Sequence, residues 1–320
     1  MLPDSRIVYL FLYVKDLAVS RAWFEQKLGL RVLEEDADSV KYDCGTAILA
    51  LNRADDYGIE LATERDHSTD IVFLVDDLDH ARAALEARGI EFTETHRYEI
   101  GAITDFYDPD NHWFTLYETS DESLTWPSGD RIQAVRAKLN GKSNGHSASA
   151  DLAAFTLADK PLIYLFLFVR DAADAFLTYA DRLGIRDIEG GPCSRASTAD
   201  EDGVIKYDTG GMILSTHHLE TVRPEEQIVD HPCPPRTVNP RQMHGKAIVF
   251  HTPDLDATVT ELSAKGMRFD RINRSSIGAI AESADSSGHV FYLWEPSEEA
   301  LQSPSGARMK ELLATTYEPA

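Results

Sequence analysis

The chain has little cysteine. Three thiols, Cys44, Cys193 and Cys233, are spread over 320 residues. They form neither a CxxC pair nor a disulfide framework, so a reducing, cytoplasmic setting is expected. Long apolar runs are missing too. No stretch approaches the roughly 18 consecutive apolar residues that a spanning helix needs. The opening MLPDSRIVYLFLYVKD lacks the basic, apolar and cleavage-site order of a secretory signal. No membrane partner is therefore expected. Positive charge is scarce: 31 basic against 54 acidic residues give a net charge of −23. Most of such a surface repels a polyanion, so nucleic acid is not expected as a partner either. There is no Gly-rich phosphate cradle, no GxSxG elbow and no Cys/His nucleophile pairing. What remains is an ordinary globular composition, 43% hydrophobic and 27% charged. Its length fits about two domains.

The chain contains its own copy. Ile7–Asp16 (IVYLFLYVKD) returns as Leu162–Asp171 (LIYLFLFVRD), and Val40–Leu49 (VKYDCGTAIL) as Ile205–Leu214 (IKYDTGGMIL). Ile71–Asp79 (IVFLVDDLD) matches Ile248–Asp256 (IVFHTPDLD), and Leu116–Glu118 (LYE) matches Leu293–Glu295 (LWE). Two loop-like insertions are expected in the second copy, near Gly190–Asp202 and Leu219–Met243. Asn140–Leu152 reads as a flexible linker. Each copy divides again. An apolar strand ends in Asp16, Asp77, Asp171 or Asp254, each an N-cap, and the helix that follows closes at Gly29, Gly89, Gly184 or Gly266. Short alternating strands come next. The unit is β-α-β-β-β, four times over. The fold class is α+β, with an N-terminal module at 1–120, a helix and linker at 121–160, a C-terminal module at 161–296 and a helical tail at 297–320.

This order resembles the vicinal oxygen chelate superfamily of glyoxalase I, extradiol dioxygenases, fosfomycin-resistance enzymes and bleomycin-resistance proteins. The residues that carry the resemblance are Val14–Leu17, VDDLD at Val75–Asp79, TPDLD at Thr252–Asp256 and DPDNHWFTLYE at Asp108–Glu118. The resemblance implies that two β-α-β-β-β units curl into a ligand-holding cup, with two cups per chain. In metalloenzymes of the family a divalent ion in the cup polarises vicinal oxygens or activates O2. The family's His positions fall here on Tyr9, Tyr164, Asp70 and Ala247, and its Glu position on Thr115 and Tyr292. None is the usual ligand, and only Asp70 binds a metal readily. No cofactor and no metal site are therefore expected, although a divalent metal belongs to the family's chemistry.

Strand alternation separates two faces. Leu10, Leu12 and Val14 face a helix, as do Leu165, Leu167 and Val169. Tyr9, Phe11 and Tyr13, with Tyr164, Phe166 and Phe168, face the cup. Trp113, Thr115 and Tyr117 share that face, as do Tyr292 and Trp294. Such walls suit a small aromatic or amphipathic molecule, or they fill the cup as core. Asp70 and His251 are the acid–base candidates. Asp70 reads as a general base, a hydrogen-bond acceptor for a ligand or a strand-end surface residue, and burial among Tyr9 and Trp113 would raise its pKa. His217 and His218 with Glu220 are a weaker metal candidate. The first reading of function is a metal-independent binding protein of sequestration or resistance type. The alternatives are an isomerase, lyase, cyclase or hydrolase working without the usual metal, and a metal-dependent glyoxalase or dioxygenase with shifted ligands. A homodimer is a further expectation. The repeated PSG tails, Arg131–Leu139 and Arg308–Leu313, are expected to pack on the opposite module or on a dimer mate.

Overall fold

The computed structural model describes residues 2, 5–61, 63–65, 67–140, 151–190, 204–218 and 245–315. The four-fold unit is present. The opening strands are β1 (Ile7–Val14), β5 (Thr69–Leu74), β9 (Leu162–Val169) and β13 (Lys246–His251). Their helices are α1 (Leu17–Trp23), α2 (Leu78–Glu86), α4 (Ala172–Phe176) and α5 (Leu255–Ala264). Three strands complete each unit. The first has β2 (Val32–Glu35), β3 (Ser39–Asp43) and β4 (Ile48–Arg53), the second β6 (His96–Tyr98), β7 (Gly101–Tyr107) and β8 (Trp113–Thr119). The third has β10 (Arg186–Glu189), β11 (Val204–Asp208) and β12 (Ile213–His218), the fourth β14 (Arg271–Ser275), β15 (Gly278–Ala284) and β16 (Val290–Pro296). Among the described residues two α-helices stand outside the units, α3 (Pro127–Asn140) and α6 (Pro304–Ala314).

Local chemistry sets the helix ends. Asp16 accepts from the Ala18 and Val19 amides at 2.9 and 3.1 Å. Asp77, Asp171 and Asp254 cap their helices in the same way. Gly29 and Gly184 turn the chain out of the helix at φ 71° and 77°, a conformation that favours glycine. The LYE and LWE repeats prove to be helix anchors: Glu118 and Glu295 each accept, at 2.7 Å, from the first amide of the helix in their own unit, Leu78 and Leu255.

The cups do not follow the copies. One eight-stranded sheet runs β14-β15-β16-β13-β1-β4-β3-β2, so it joins the first unit to the fourth. The other runs β10-β11-β12-β9-β5-β8-β7-β6 and joins the second unit to the third. Antiparallel seams close both sheets: Leu10 faces Ile248 between β1 and β13, and Asp70 faces Phe166 between β5 and β9. The divisions 1–120 and 161–296 therefore mark the repeat, not the cups. All four units carry the same inward and outward pattern, so patterning alone cannot say which unit completes which sheet. The convex faces of both sheets meet the helices in one shared core containing Leu10, Leu12, Phe24, Phe73, Leu165 and Phe250. The concave faces form two separate clusters.

The tail helices lock the crossed arrangement. Helix α3 follows the first copy and lies in the cup that β9–β12 complete. It buries Ile132 and Val135 there, and Arg131 pairs with Asp208. Helix α6 follows the second copy and returns to the first: Met309 and Leu312 enter the other cup, and Arg308 meets Asp43 at 2.7 Å. The two expected insertions, apart from Gly190, lie outside the described residues, as does most of the linker. Among the described residues no helix is long and apolar enough to cross a membrane.

Candidate functional site

The first cup is built from β1, β4, β13 and β16. Period-two alternation turns Tyr9, Phe11 and Tyr13 of β1 and Tyr292 and Trp294 of β16 onto its concave face. Tyr9 meets Trp294 edge-on at 5.5 Å, and Phe11 meets Tyr292 at 6.0 Å. The Tyr13 and Tyr292 hydroxyls lie 3.0 Å apart. Over these rings opens a cavity of about 1340 Å³. A ring that sequence reasoning missed stands at its mouth: Tyr57 is 47% exposed and packs against Tyr13 at 5.1 Å. Tyr57 comes from a short polar turn after β4, where no strand period marks it.

Burial keeps these phenols protonated. It pushes Tyr9 up to about 12, against a hydrogen bond from Ser305. It also pushes Tyr292 up to about 12, and Tyr13 well above its ordinary value. They therefore serve as neutral hydrogen-bonding walls rather than as phenolate ligands.

The second cup carries Trp113, Thr115, Tyr117, Tyr164, Phe166 and Phe168. Here the rings pack on one another: Trp113 stacks on Phe168 at 5.3 Å, and Tyr117 meets Tyr164 edge-on at 5.9 Å. His217 packs on Phe166 at 4.7 Å, and burial with the nearby Lys206 charge lowers it to about 3, so it is neutral. Asp70 belongs to this cup and is 2% exposed. Its partners across the ladders are Trp113 and Phe166, so of the two neighbours weighed from the sequence Trp113 is beside it and Tyr9 lies in the other sheet. The reason is the crossed pairing of units. Asp105, which sequence reasoning passed over, completes the group. Thr115 Oγ1 lies 2.9 Å from Asp70 Oδ2 and 2.7 Å from Asp105 Oδ1.

A threonine has a single hydroxyl hydrogen. Facing two carboxyl oxygens, it makes two hydrogen bonds only if one carboxyl is protonated and donates back. Asp70 is that group. Burial first, then the neighbouring Asp105 charge, push it well above the carboxylate range, and its Oδ1 is buried without a partner. His251 ends β13 in the first cup, opposite Trp294 in the ladder. The two acid–base candidates are thus in different cups. Glu220 lies outside the described residues, so the weaker His217–His218 candidate has no further geometry.

The crossed sheets gather the family's ligand positions into two sets. Tyr9, Ala247 and Tyr292 meet in the first cup, and Asp70, Thr115 and Tyr164 in the second. The first set offers two neutral phenols and a methyl group. The second offers a carboxyl that favours its proton, a hydroxyl already engaged with two carboxyl oxygens, and a buried phenol. Neither set suits a divalent cation, which binds imidazole nitrogen or ionised carboxylate. Among the described residues no three His, Cys, Asp or Glu side chains are placed to hold a metal ion.

Residues 6–116 match the family described as the Glyoxalase/Bleomycin resistance protein/Dioxygenase superfamily. No curated protein matches the chain. Among solved structures, glyoxalase I from Zea mays is similar at 13% identity, with a TM-score of 0.58 over 96% of this chain and 95% of that one. A provisionally assigned dioxygenase from Bacillus subtilis subsp. subtilis str. 168 is similar at 10% identity and a TM-score of 0.57, over 97% of this chain and 91% of that one. These identities establish a shared fold.

Proposed function

Because the chain belongs to the vicinal oxygen chelate superfamily as a tandem two-module member, we propose that it binds a small aromatic or amphipathic organic molecule without a metal, in the first cup, as a sequestering protein. One observation carries the reading. The cavity of about 1340 Å³ is walled by Tyr9, Phe11, Tyr13, Tyr57, Tyr292 and Trp294, two of them at positions where the family's metal ligands stand. That volume exceeds the ~300–1,000 Å³ of an ordinary ligand pocket. Its aromatic walls favour flat, poorly hydrated molecules, held by burial and ring contact.

Fluorescence titration with a panel of flat aromatic compounds, in the presence of a chelator, tests this. Binding at micromolar concentration or tighter is expected, and Trp294→Ala should weaken it at least tenfold. If no compound binds, or if binding requires added metal, the reading fails.

A second reading rests on Asp70, Thr115 and Asp105. A carboxyl pair that keeps one proton near neutrality is suited to proton transfer. On that reading the second cup is a metal-free acid–base centre, and turnover would be lost in Asp70→Asn.

A further inference from the structure

The first cup has an unequal distribution of charge around its aromatic walls. Seven carboxylates line the cavity: Glu34, Asp36, Asp38, Asp56, Asp270, Glu282 and Glu299. Against them stand two cations, Lys41 and Arg271. Some of this charge is already answered. Lys41 holds Glu34 at 2.6 Å, and Arg53 reaches Asp38 and Asp56 at 3.1 and 3.2 Å. Lys41 also comes within 3.9 Å of Asp36, so two cations share these four carboxylates. Asp36, Asp38 and Asp56 gather near Tyr57, whose hydroxyl they help to push up after burial. Glu282 stands across the β15–β16 ladder from Tyr292 and lines the same cavity. Arg271 stands across the next ladder from Glu282 and is exposed at the rim. Among the described residues no ion pair joins Arg271 to Glu282.

We propose that the first cup takes an organic cation, a protonated amine or quaternary nitrogen on an aromatic or amphipathic frame, with Glu282 as its counter-charge. The inference rests on the reading that this cup is the binding site, and it adds the charge of the ligand. The cavity makes the site, and the charge selects what enters it. Aromatic faces attract a cation through their quadrupole, and the attraction grows as water is excluded. Glu282 lines the cavity beside the Tyr13–Tyr292 hydroxyl pair, directly across the ladder from Tyr292. An anionic ligand would lose its hydration against lining groups whose carboxylates outnumber their cations, with Arg53 counted among the latter. The net charge of −23 steers cations toward the mouth and anions away.

Three probes of one shape test the inference: 10-methylacridinium, neutral acridine and acridine-9-carboxylate. Their affinities are measured by fluorescence titration at low and high salt. The cation should bind at least tenfold tighter than the neutral ring, and the anion weakest of the three. Salt should erode the cation's advantage. Glu282→Gln should reduce cation affinity about fivefold or more and leave the neutral ring's affinity unchanged. Equal binding of cation and neutral ring, with both lost in Trp294→Ala, overturns the charge inference and leaves the binding site standing. Tightest binding of the anion also overturns it and points to Arg271. If none of the three binds, the cup is not the site and both readings fall. The comparison of probes on the parent protein holds even if the variant does not fold.

Discussion

The hydroxyls of Tyr13 and Tyr292 meet at 3.0 Å although 279 positions separate them in the chain. The contact joins the first β-α-β-β-β unit to the last, and it is buried. A buried neutral hydrogen bond contributes about 1 kcal/mol, and a donor left without a partner costs ~1–3 kcal/mol. Tyr292→Phe should therefore lower stability to urea by about 1–2 kcal/mol. In a double-mutant cycle Tyr13→Phe and Tyr292→Phe should couple. Additive effects would mean that the hydroxyls do not interact.

The isolated N-terminal copy, residues 1–140, should not be a folded monomer. It would retain β1 and β5 without their seam partners β13 and β9, leaving two long unpaired edges. Sedimentation of that fragment should show dimers, in which a second copy supplies the missing strands, or aggregates. A stable folded monomer would contradict the crossed pairing.

Asp70 sets a pH dependence of stability. Its folded pKa is raised by burial and by Asp105. Its stabilising contribution is therefore complete below the ordinary carboxylate pKa of ~3.9 and is lost as pH rises through the folded value. Asn fixes the neutral form. Relative to the parent, Asp70→Asn should gain stability between about pH 4 and about pH 8. Urea unfolding at the two pH values checks this, and a relative loss at the higher pH would contradict the retained proton.

Asp285 has the opposite sign. Burial alone would raise it, but His289, whose Nδ1 lies 2.8 Å away, and the Tyr179 hydroxyl hold it below its ordinary value. His289 Nε2 lies 3.0 Å from the Ser68 carbonyl oxygen, so both ring nitrogens face acceptors and the fourth unit is tied to the start of β5. This contribution is present above ~pH 4 and lost as pH falls through the lowered folded value. Asp285→Asn should cost about 3–5 kcal/mol near neutrality, the scale for breaking a buried charged pair. The difference should shrink in acid. Equal stability at neutral pH would show that the pair is not a charged tie.

Much of this architecture is legible in the sequence. The repeat gives the unit, Asp16 and Gly29 give the first helix ends, and alternation in IVYLFLYV separates Tyr9 and Tyr13 from Leu10 and Leu12. Which units share a sheet is not legible, because Ile248 and Ile71 carry the same strand pattern and either satisfies β1. That choice depends on long-range seams and on the return of α6, whose Ser305 amide donates to Glu34 at 2.8 Å. The site is legible only on its strand floor. Tyr57 comes from a turn, Glu282 from a strand of small and polar residues, and Asp105 from β7. No period distinguishes these side chains from solvated ones, and folding alone brings them to the cups.

The most direct test of the central claim is native mass spectrometry of the protein as purified, with neither metal nor chelator added, followed by the same spectrum after addition of a bound aromatic compound. The account predicts a chain without a stoichiometric transition metal that takes up one organic molecule, and a Trp294→Ala chain that does not. One transition metal per chain, with uptake lost when that metal is stripped, would contradict it.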